Sequence, residues 1–289
     1  MTRRRDLEEH RHSLSEIRDI INSMKTLAYM ETRKLDRLLE AQQCVVESIE
    51  DVATDFLGFY PQTLPQVKET TAIYLLIGTE RGFCGNFNHT LLKRLEDSQQ
   101  SQTPDNTKLI VIGHKLQTLL QDDARVVASV NGASVAEEVT SLLTGVVNEL
   151  MALQNMHGGL SVFSLFHNDN DDIVTKRLLP PFEGFSQKKP AYPHSPQLNQ
   201  SPEMFLADLT EQYLFALLHE MLYTSLMAEN YKRVSHLEGA VRHLDDEAEK
   251  LTRKCNALRQ EEIVEEIEVI LLSTGHLDES RQVHKSKDY

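Results

Sequence analysis

Apolar and small residues recur at alternating steps of three and four at both ends of the chain, but not in its middle. Near the N-terminus the pattern is interrupted by Glu31 and Gln42, and its members are Leu14, Ile17, Ile21, Met24, Ala28, Leu35, Leu38, Val45, Ile49 and Val52. Near the C-terminus it is unbroken, at Val234, Leu237, Val241, Leu244, Ala248, Leu251, Cys255 and Leu258. A heptad repeat predicts a long helix with a narrow apolar seam that packs against another helix. The two ends of the chain are therefore predicted to be partners in space.

Between the heptads, short apolar runs replace the helical spacing. Residues 71–77, Thr-Ala-Ile-Tyr-Leu-Leu-Ile, form a continuous run that ends at Gly78, which is typical of a strand buried on both faces. Further strands are predicted at 108–113, 125–128 and 160–166, and helices at 88–95, 115–120 and 135–153. This alternation predicts a small parallel α/β sheet.

The pattern divides the chain into five segments. They are a coiled-coil helix at 1–58, an α/β domain at 68–183, a linker loop at 184–202, a second coiled-coil helix at 203–277 and a flexible tail at 278–289. The linker is rich in Ser, Gln, Lys and Pro, and the Ser-Pro-Glu sequence at 201–203 is typical of a helix start. From there to about Leu272 the helix would be on the order of 100 Å long, so we expect it to project from the α/β domain.

Composition excludes several classes of protein. The 289 residues include 44 acidic and 30 basic side chains, and the net charge of -14 argues against general nucleic-acid binding. No run approaches the roughly 18 consecutive apolar residues of a membrane span, so direct membrane insertion is not expected. The N-terminus lacks the apolar core of a signal peptide, and a bacterial cytoplasm is the simplest compartment. Cys44, Cys84 and Cys255 are widely separated and are interpreted as reduced thiols.

The glycines that follow the first strand raise an enzymatic alternative. Gly78 and Gly85 have nearly the spacing of a phosphate loop, but the required Lys-Ser/Thr pair is replaced by Asn-Phe. Cys84 and His89 could in principle form a nucleophile and base, yet a lone Cys is usually a packing residue. The histidines in the helical segments are interpreted as surface residues. We therefore predict no catalytic residue, no cofactor and no metal site.

Four segments, in order along the chain, resemble the gamma subunit of F-type ATP synthase. The most specific is residues 79–88, Thr-Glu-Arg-Gly-Phe-Cys-Gly-Asn-Phe-Asn, which is similar to the family's Asp-Arg-Gly-Leu-Cys-Gly-x-x-Asn turn. Residues 256–260, Asn-Ala-Leu-Arg-Gln, resemble its Asn-x-x-Arg-Gln run. Residues 20–34 resemble its first shaft helix, and 177–180, Arg-Leu-Leu-Pro, resemble the end of its central domain.

Some positions depart from the family pattern. Val264 stands where the family has Thr, and Glu261 and Glu262 replace small residues. Together with the strongly acidic balance, these departures indicate a divergent bacterial or alternate-type form.

The resemblance implies both a fold and a function. The fold would be a long antiparallel coiled coil of the N- and C-terminal helices with a small Rossmann-like parallel α/β domain. The protein would be the non-catalytic central rotor shaft, which couples ion-driven rotation of the membrane ring to ATP synthesis or hydrolysis in the catalytic hexamer. Its partners would be the alpha and beta subunits, the epsilon subunit and the rotor c-ring, at the cytoplasmic side of the bacterial inner membrane. The alternative is a stand-alone coiled-coil adaptor that retains the fold.

The resemblance also assigns eight partner-binding residues: Met24, Lys25, Arg81, Gly82, Cys84, Gly85, Arg259 and Gln260. Arg259 and Gln260 match the pair that meets a loop of the catalytic subunit, and a guanidinium with five donors suits that contact. Met24 and Lys25 match the segment that faces the lever of the same subunit. Two alternatives stay open: Arg259 and Gln260 could be an exposed pair beside the seam, and Met24 could pack within it.

Overall fold

Long helices occupy both ends of the chain, and a sheet with shorter helices lies between them in sequence. The computed structural model describes residues 2–64, 71–99, 107–157, 160–168, 170, 172–182, 184–185 and 192–285. The α-helices are α1 (Thr2–Phe59), α2 (Phe87–Gln99), α3 (His114–Leu119), α4 (Val139–His157) and α5 (Pro202–Lys285). The strands are β1 (Thr71–Ile77), β2 (Thr107–Ile112), β3 (Val126–Val130), β4 (Leu160–His167) and β5 (Ile173–Leu179), and short 3-10 helices cover Pro61–Thr63 and Ala136–Glu138.

The sheet has the strand order β3-β2-β1-β4-β5. Strands β1 to β4 run parallel, as the alternation of elements predicts, and each lies within two residues of its predicted position. Strand β5 pairs antiparallel with β4 and was not predicted. Its sequence, Ile-Val-Thr-Lys-Arg-Leu-Leu, has three polar residues in succession and is only partly buried at this edge of the sheet, so it contains no continuous apolar run.

Helices cover both faces of the sheet. Ile73, Leu75 and Ile77 of β1 pack into a cluster with α4 and with parts of α1 and α5, whereas Tyr74 and Leu76 pack on the other face with α2 and α3. A parallel strand with both faces covered must be apolar at successive positions, which explains why β1 is a continuous apolar run. The predicted α/β domain is thus a three-layer structure.

The chain forms two compact units. The smaller comprises Met1–Met24 and Leu237–Tyr289, and the larger comprises Lys25–His236. In the smaller unit, Arg4 donates to Glu262 at 2.7 Å and Arg18 donates to Asp245 at 2.5 Å. Since the partner's number falls as the α1 number rises, the two helices run antiparallel here. The predicted C-terminal seam is confirmed, because every predicted position is buried or partly buried, with Leu237, Val241, Leu251 and Cys255 the most enclosed.

The larger unit contains the same antiparallel pairing. Gln42 donates to the carbonyl of Ala216 at 2.9 Å, and Tyr213 donates to Glu50 at 3.0 Å. The rings of Phe56 and Phe205 lie 4.8 Å apart. This part of the helix pair supplies one layer of the core beside the sheet.

The α1 seam in the larger unit differs from the prediction. Leu38, Val45 and Val52 were assigned to it, but they are 37%, 46% and 45% exposed. After Leu35 the buried apolar positions of α1 are instead Leu39, Val46, Ala53, Phe56 and Leu57. The real seam takes a step of four after Leu35 and then passes through Gln42, whose amide bonds to α5. The predicted and the real seam share Leu35, Gln42 and Ile49, but the prediction placed each step of three before the step of four, so its positions between them are one residue too early.

Helix α5 extends beyond its predicted end, and the described helices include no candidate membrane span. Helix α5 continues to Lys285, beyond the predicted end at 277, and residues 286–289 lie outside the described part of the chain. Among the residues that the structure describes, no helix is both long and apolar enough to cross a membrane.

A matched pair of adjacent leucines tests the corrected seam. Leu39→Ala should lower the free energy of unfolding by about 2–5 kcal/mol, because it leaves a cavity in a closed core. Leu38→Ala should change it by less than about 1 kcal/mol, because this side chain is already partly in water. Denaturant unfolding of the two variants beside the unmodified chain measures both effects. Equal losses would contradict the assignment of Leu39 to the seam.

Candidate functional site

The turn that follows β1 gathers four of the predicted partner-binding residues. Strand β1 ends at Ile77 and α2 begins at Phe87, and the chain reverses between them with Phe83 and Gly85 in the left-handed region, at φ of 66° and 61°. Glycine adopts that region without strain, whereas a phenylalanine rarely does. Arg81, Gly82, Cys84 and Gly85 line one cavity of about 390 Å³ beside this turn.

Polar contacts fix the turn to the carboxyl ends of neighbouring strands. Asn88 accepts the backbone N–H of Thr79 at 3.1 Å, and its amide donates to the Thr79 hydroxyl at 3.0 Å. The Glu80 carboxylate accepts the backbone N–H of His114 at 2.9 Å and that of Gly132 at 2.7 Å. Glu80 therefore ties the end of β1 to the segments that follow β2 and β3.

A buried ion pair on α5 lies beneath the turn. Arg233 donates to Glu229 one helical turn before it, and both residues are almost completely buried. The same guanidinium donates to the Gly82 carbonyl at 3.3 Å and to the Cys84 sulfur at 3.4 Å. Glu229 also accepts backbone N–H groups from the start of the turn. Because the pair bonds to the turn at both ends, α5 holds the turn's backbone in place.

Burial governs the ionisation of this cluster. It raises the pKa of the Glu229 carboxyl, and Arg233 opposes that rise by favouring the charged form. It also raises the pKa of the Cys84 thiol to about 12, with the nearby Glu229 charge acting in the same direction. A thiol with such a pKa is protonated at neutral pH, so Cys84 packs and donates rather than acting as a nucleophile.

The other predicted residues lie on the long helices. Met24 and Lys25 are partly buried on α1, whereas Arg259 and Gln260 are exposed on α5. Since Arg4 pairs with Glu262, the Arg259-Gln260 pair lies beside the first turns of α1. Met24 is 20 residues further along α1, about 30 Å away at the rise of an α-helix. These residues form separate sites and do not join the turn residues within one cavity.

Sequence reasoning missed four residues at the turn: Glu229, Arg233, Lys115 and His236. Lys115 and His236 line the cavity from α3 and α5, and neither has a local sequence signal that connects it to the turn. The ion pair does have one, because an acid and a base four residues apart directly follow the largely apolar stretch at 221–228 of α5.

The ion pair predicts a large difference between two similar contacts on α5. Arg233→Met should destabilise the chain by about 3–5 kcal/mol, because it leaves the Glu229 carboxylate buried without its partner. Arg253→Met removes an exposed pair of the same spacing, with Glu249, and should have little effect. Adding Glu229→Gln to the Arg233→Met variant should restore part of the lost stability. Denaturant unfolding measures all three, and similar stability of the two single variants would contradict the role of the buried pair.

The three cysteines should react at very different rates. Cys44 is exposed, while Cys84 and Cys255 are buried. At pH 8, iodoacetamide should modify Cys44 more than about a hundredfold faster than Cys84, because only the thiolate reacts and the Cys84 thiol is both enclosed and protonated. Mass spectrometry of digested samples gives the rates, and an unfolded sample is the control in which all three should react alike. Equal rates for Cys44 and Cys84 in the folded chain would contradict the described environment.

Comparison with known proteins gives one consistent result. The family model described as ATP synthase matches residues 3–274. The ATP synthase gamma chain of Fuscovulum blasticum is 23% identical over 281 residues, which cover 92% of this chain and 96% of the relative. The ATP synthase gamma chain of Desulforamulus reducens is 23% identical over 288 residues, which cover 96% of this chain and 100% of the relative.

Solved structures of similar fold come from rotary assemblies. A chain in the rotor of the Euglena gracilis mitochondrial ATP synthase has a TM-score of 0.60 and 13% identity, and the match covers 91% of this chain and 99% of that one. A chain of the central stalk and c-ring of the Tetrahymena thermophila mitochondrial ATP synthase has a TM-score of 0.55 and 14% identity. The match covers 76% of this chain and 99% of that one. Because the family match extends over nearly the whole sequence, this chain belongs to the ATP synthase family, and the curated relatives that it matches are gamma chains.

Proposed function

We propose that the chain is the central rotor shaft of an F-type ATP synthase or ATPase. In this role it couples ion-driven rotation of a membrane ring to ATP synthesis or hydrolysis in a hexamer of alpha and beta subunits. The observation that carries the proposal is the distribution of apolar side chains near the C-terminal end of α5. The family membership and the names of the relatives support it independently.

Apolar side chains surround this part of α5 instead of forming one stripe. Ile263, Val264, Ile267 and Val269 are 47%, 54%, 51% and 65% exposed. At about 100° per residue they point to more than one side of the helix. Arg4 of α1 pairs with Glu262, so α1 runs along one side of α5 here and leaves these four side chains exposed.

An apolar helix exposed on several sides fits a surrounding sleeve. A self-dimer or an adaptor would bury a single stripe and leave the opposite side polar. A ring of subunits buries every side at once, and the inner surface of an alpha-beta hexamer has that form. Ile17, which was wrongly predicted to lie in the α1 seam, and Ile20 are also exposed, at 45% and 60%, so apolar surface continues along α1.

Rotation of an asymmetric shaft would change each catalytic site in turn. The sides of α5 differ in charge, since at about 100° per residue Glu261 and Glu265 point away from the side that carries Arg259. A catalytic subunit that faces Arg259 therefore meets a different surface from one that faces the carboxylates. Differential contact of this kind shifts a subunit between open and closed forms. The bond-making chemistry would belong to the hexamer, and this chain would need no catalytic residue or cofactor.

The remaining predicted residues take partner-binding roles in this proposal. Arg259 and Gln260 would donate to a loop of the catalytic subunit, and Met24 with Lys25 would face its lever. Arg81, Gly82, Cys84 and Gly85 would shape a contact surface on the α/β domain, of which Cys84 is the buried support. The α/β domain would bind the epsilon subunit and rest on the c-ring, at the cytoplasmic side of a bacterial inner membrane.

Arg259 gives the direct test of the shaft contact. Arg259→Ala should leave the helix content of the free chain unchanged, because the side chain is exposed. In a complex reconstituted with alpha and beta subunits it should lower coupled turnover by about tenfold, the scale of one charge-assisted hydrogen bond. Arg242→Ala, which also removes an exposed arginine from α5, is the matched control and should retain full turnover. Undiminished turnover of the Arg259 variant would show that Arg259 does not contact the catalytic subunit as proposed.

The adaptor alternative predicts a different association state. A stand-alone adaptor should bind a second copy of itself through its apolar surfaces and should ignore alpha and beta subunits. The shaft should instead join them as a single copy. Sedimentation of the chain alone and in the mixture distinguishes the two.

A further inference from the structure

We propose that the cavity beside the Arg81–Gly85 turn binds a phosphate-type oxyanion, in particular the diphosphate or triphosphate group of a soluble compound. The cavity lies on the larger unit, where the chain leaves β1 and β2. Ligands of α/β domains bind beyond the carboxyl ends of parallel strands, where the loops that follow the strands converge. The proposal concerns a small ligand of this domain and does not depend on the rotor role.

Basic side chains collect at this cavity although the chain as a whole is acidic. Arg81, Lys115, His89 and His236 all line it, and no carboxylate is among the described lining residues. The chain carries a net charge of -14, so the exclusion of Asp and Glu from this surface runs against its overall balance. Within the part of the chain that the structure describes, none of these four side chains makes an ion pair.

The basic groups come from different elements and meet at the glycines of the turn. Lys115 lies on α3, and its Cε is 3.9 Å from the position that a Cβ on Gly82 would occupy. His236 lies on α5, and its Cδ2 is 3.6 Å from the corresponding position on Gly85. Absence of a side chain at Gly82 and Gly85 therefore leaves the turn's backbone close to both groups.

Several acceptor groups around the cavity are already occupied. The Gly82 carbonyl accepts from Arg233, and the carboxylate of Glu80 accepts two backbone N–H groups of neighbouring loops. Thr79 and Asn88, which form part of the lining, are bonded to each other. With these acceptors paired, and with Arg81 and Lys115 outside any ion pair within the described residues, the site presents charged donors to a ligand, which favours an anion over a cation.

Size and donor chemistry define the ligand class. A volume of about 390 Å³ accommodates a phosphate chain with room for water or for part of a nucleoside. Arginine binds phosphate oxygens in a bidentate manner and lysine acts as a mobile point charge, and both are present here. Phe83 and Leu119 provide apolar walls that are about half exposed.

Titration calorimetry on the full-length chain at constant ionic strength tests the proposal, with pyrophosphate as the probe. The double variant Arg81→Gln with Lys115→Gln should weaken binding at least about tenfold, because two charge-assisted contacts are lost. The matched control, Lys93→Gln with Arg94→Gln, removes the same two kinds of charge from an exposed part of α2 outside the cavity. It should retain the unmodified affinity.

Two further ligands, ATP and lipid vesicles, identify the source of the phosphate group. ATP should bind with the same dependence on Arg81 and Lys115, whereas vesicles of phosphatidylglycerol in phosphatidylcholine should not bind. Binding of the vesicles alone would contradict a soluble ligand. The proposal would be overturned by the absence of saturable pyrophosphate binding, by equal losses in both double variants, or by binding of a polyglutamate peptide in place of pyrophosphate, which would identify the surface as a site for an acidic protein segment. None of these outcomes alters the assembly test of the rotor role.

Discussion

The pairing of α1 with α5 is the constraint on which the rest of the structure depends. Neither helix can bury its own apolar seam, and most of the stability of a helix in a protein comes from the packing of its apolar face. In the smaller unit the pair is held by its seam and by the Arg4–Glu262 and Arg18–Asp245 contacts. In the larger unit the same two helices cover one face of the sheet. The sheet domain therefore needs residues of both long helices to complete its core.

Most of the fold could be predicted because its signals are local. The unbroken C-terminal heptad and the continuous apolar run of β1 each follow from one buried environment repeated along an element. The prediction failed where a polar residue takes part in packing. Glu31 and Gln42 looked like interruptions of the seam, yet Glu31 accepts the N–H of Ala136 at 2.6 Å and Gln42 bonds to α5. Strand β5 was missed because an edge strand needs little apolar sequence.

The turn after β1 shows how much of a functional site can be predicted from the sequence. Its glycines and Cys84 were recognisable as a motif, but the support beneath them comes from α5, about 150 residues later in the chain. Glu229 and Arg233 are costly to bury and are retained where they fix a backbone that carries two left-handed residues. The rigidity of the turn is thus a product of tertiary structure, and a surface that must transmit force or recognise a ligand benefits from it.

Affinity purification of the tagged chain from its native cells, with mass spectrometry and an ATP hydrolysis assay of the eluate, tests the central claim most directly. The rotor account predicts one copy of the chain with three alpha-type and three beta-type subunits, and ATP hydrolysis by the purified assembly. Recovery of only further copies of the chain, or of proteins unrelated to ATP synthase, would contradict it.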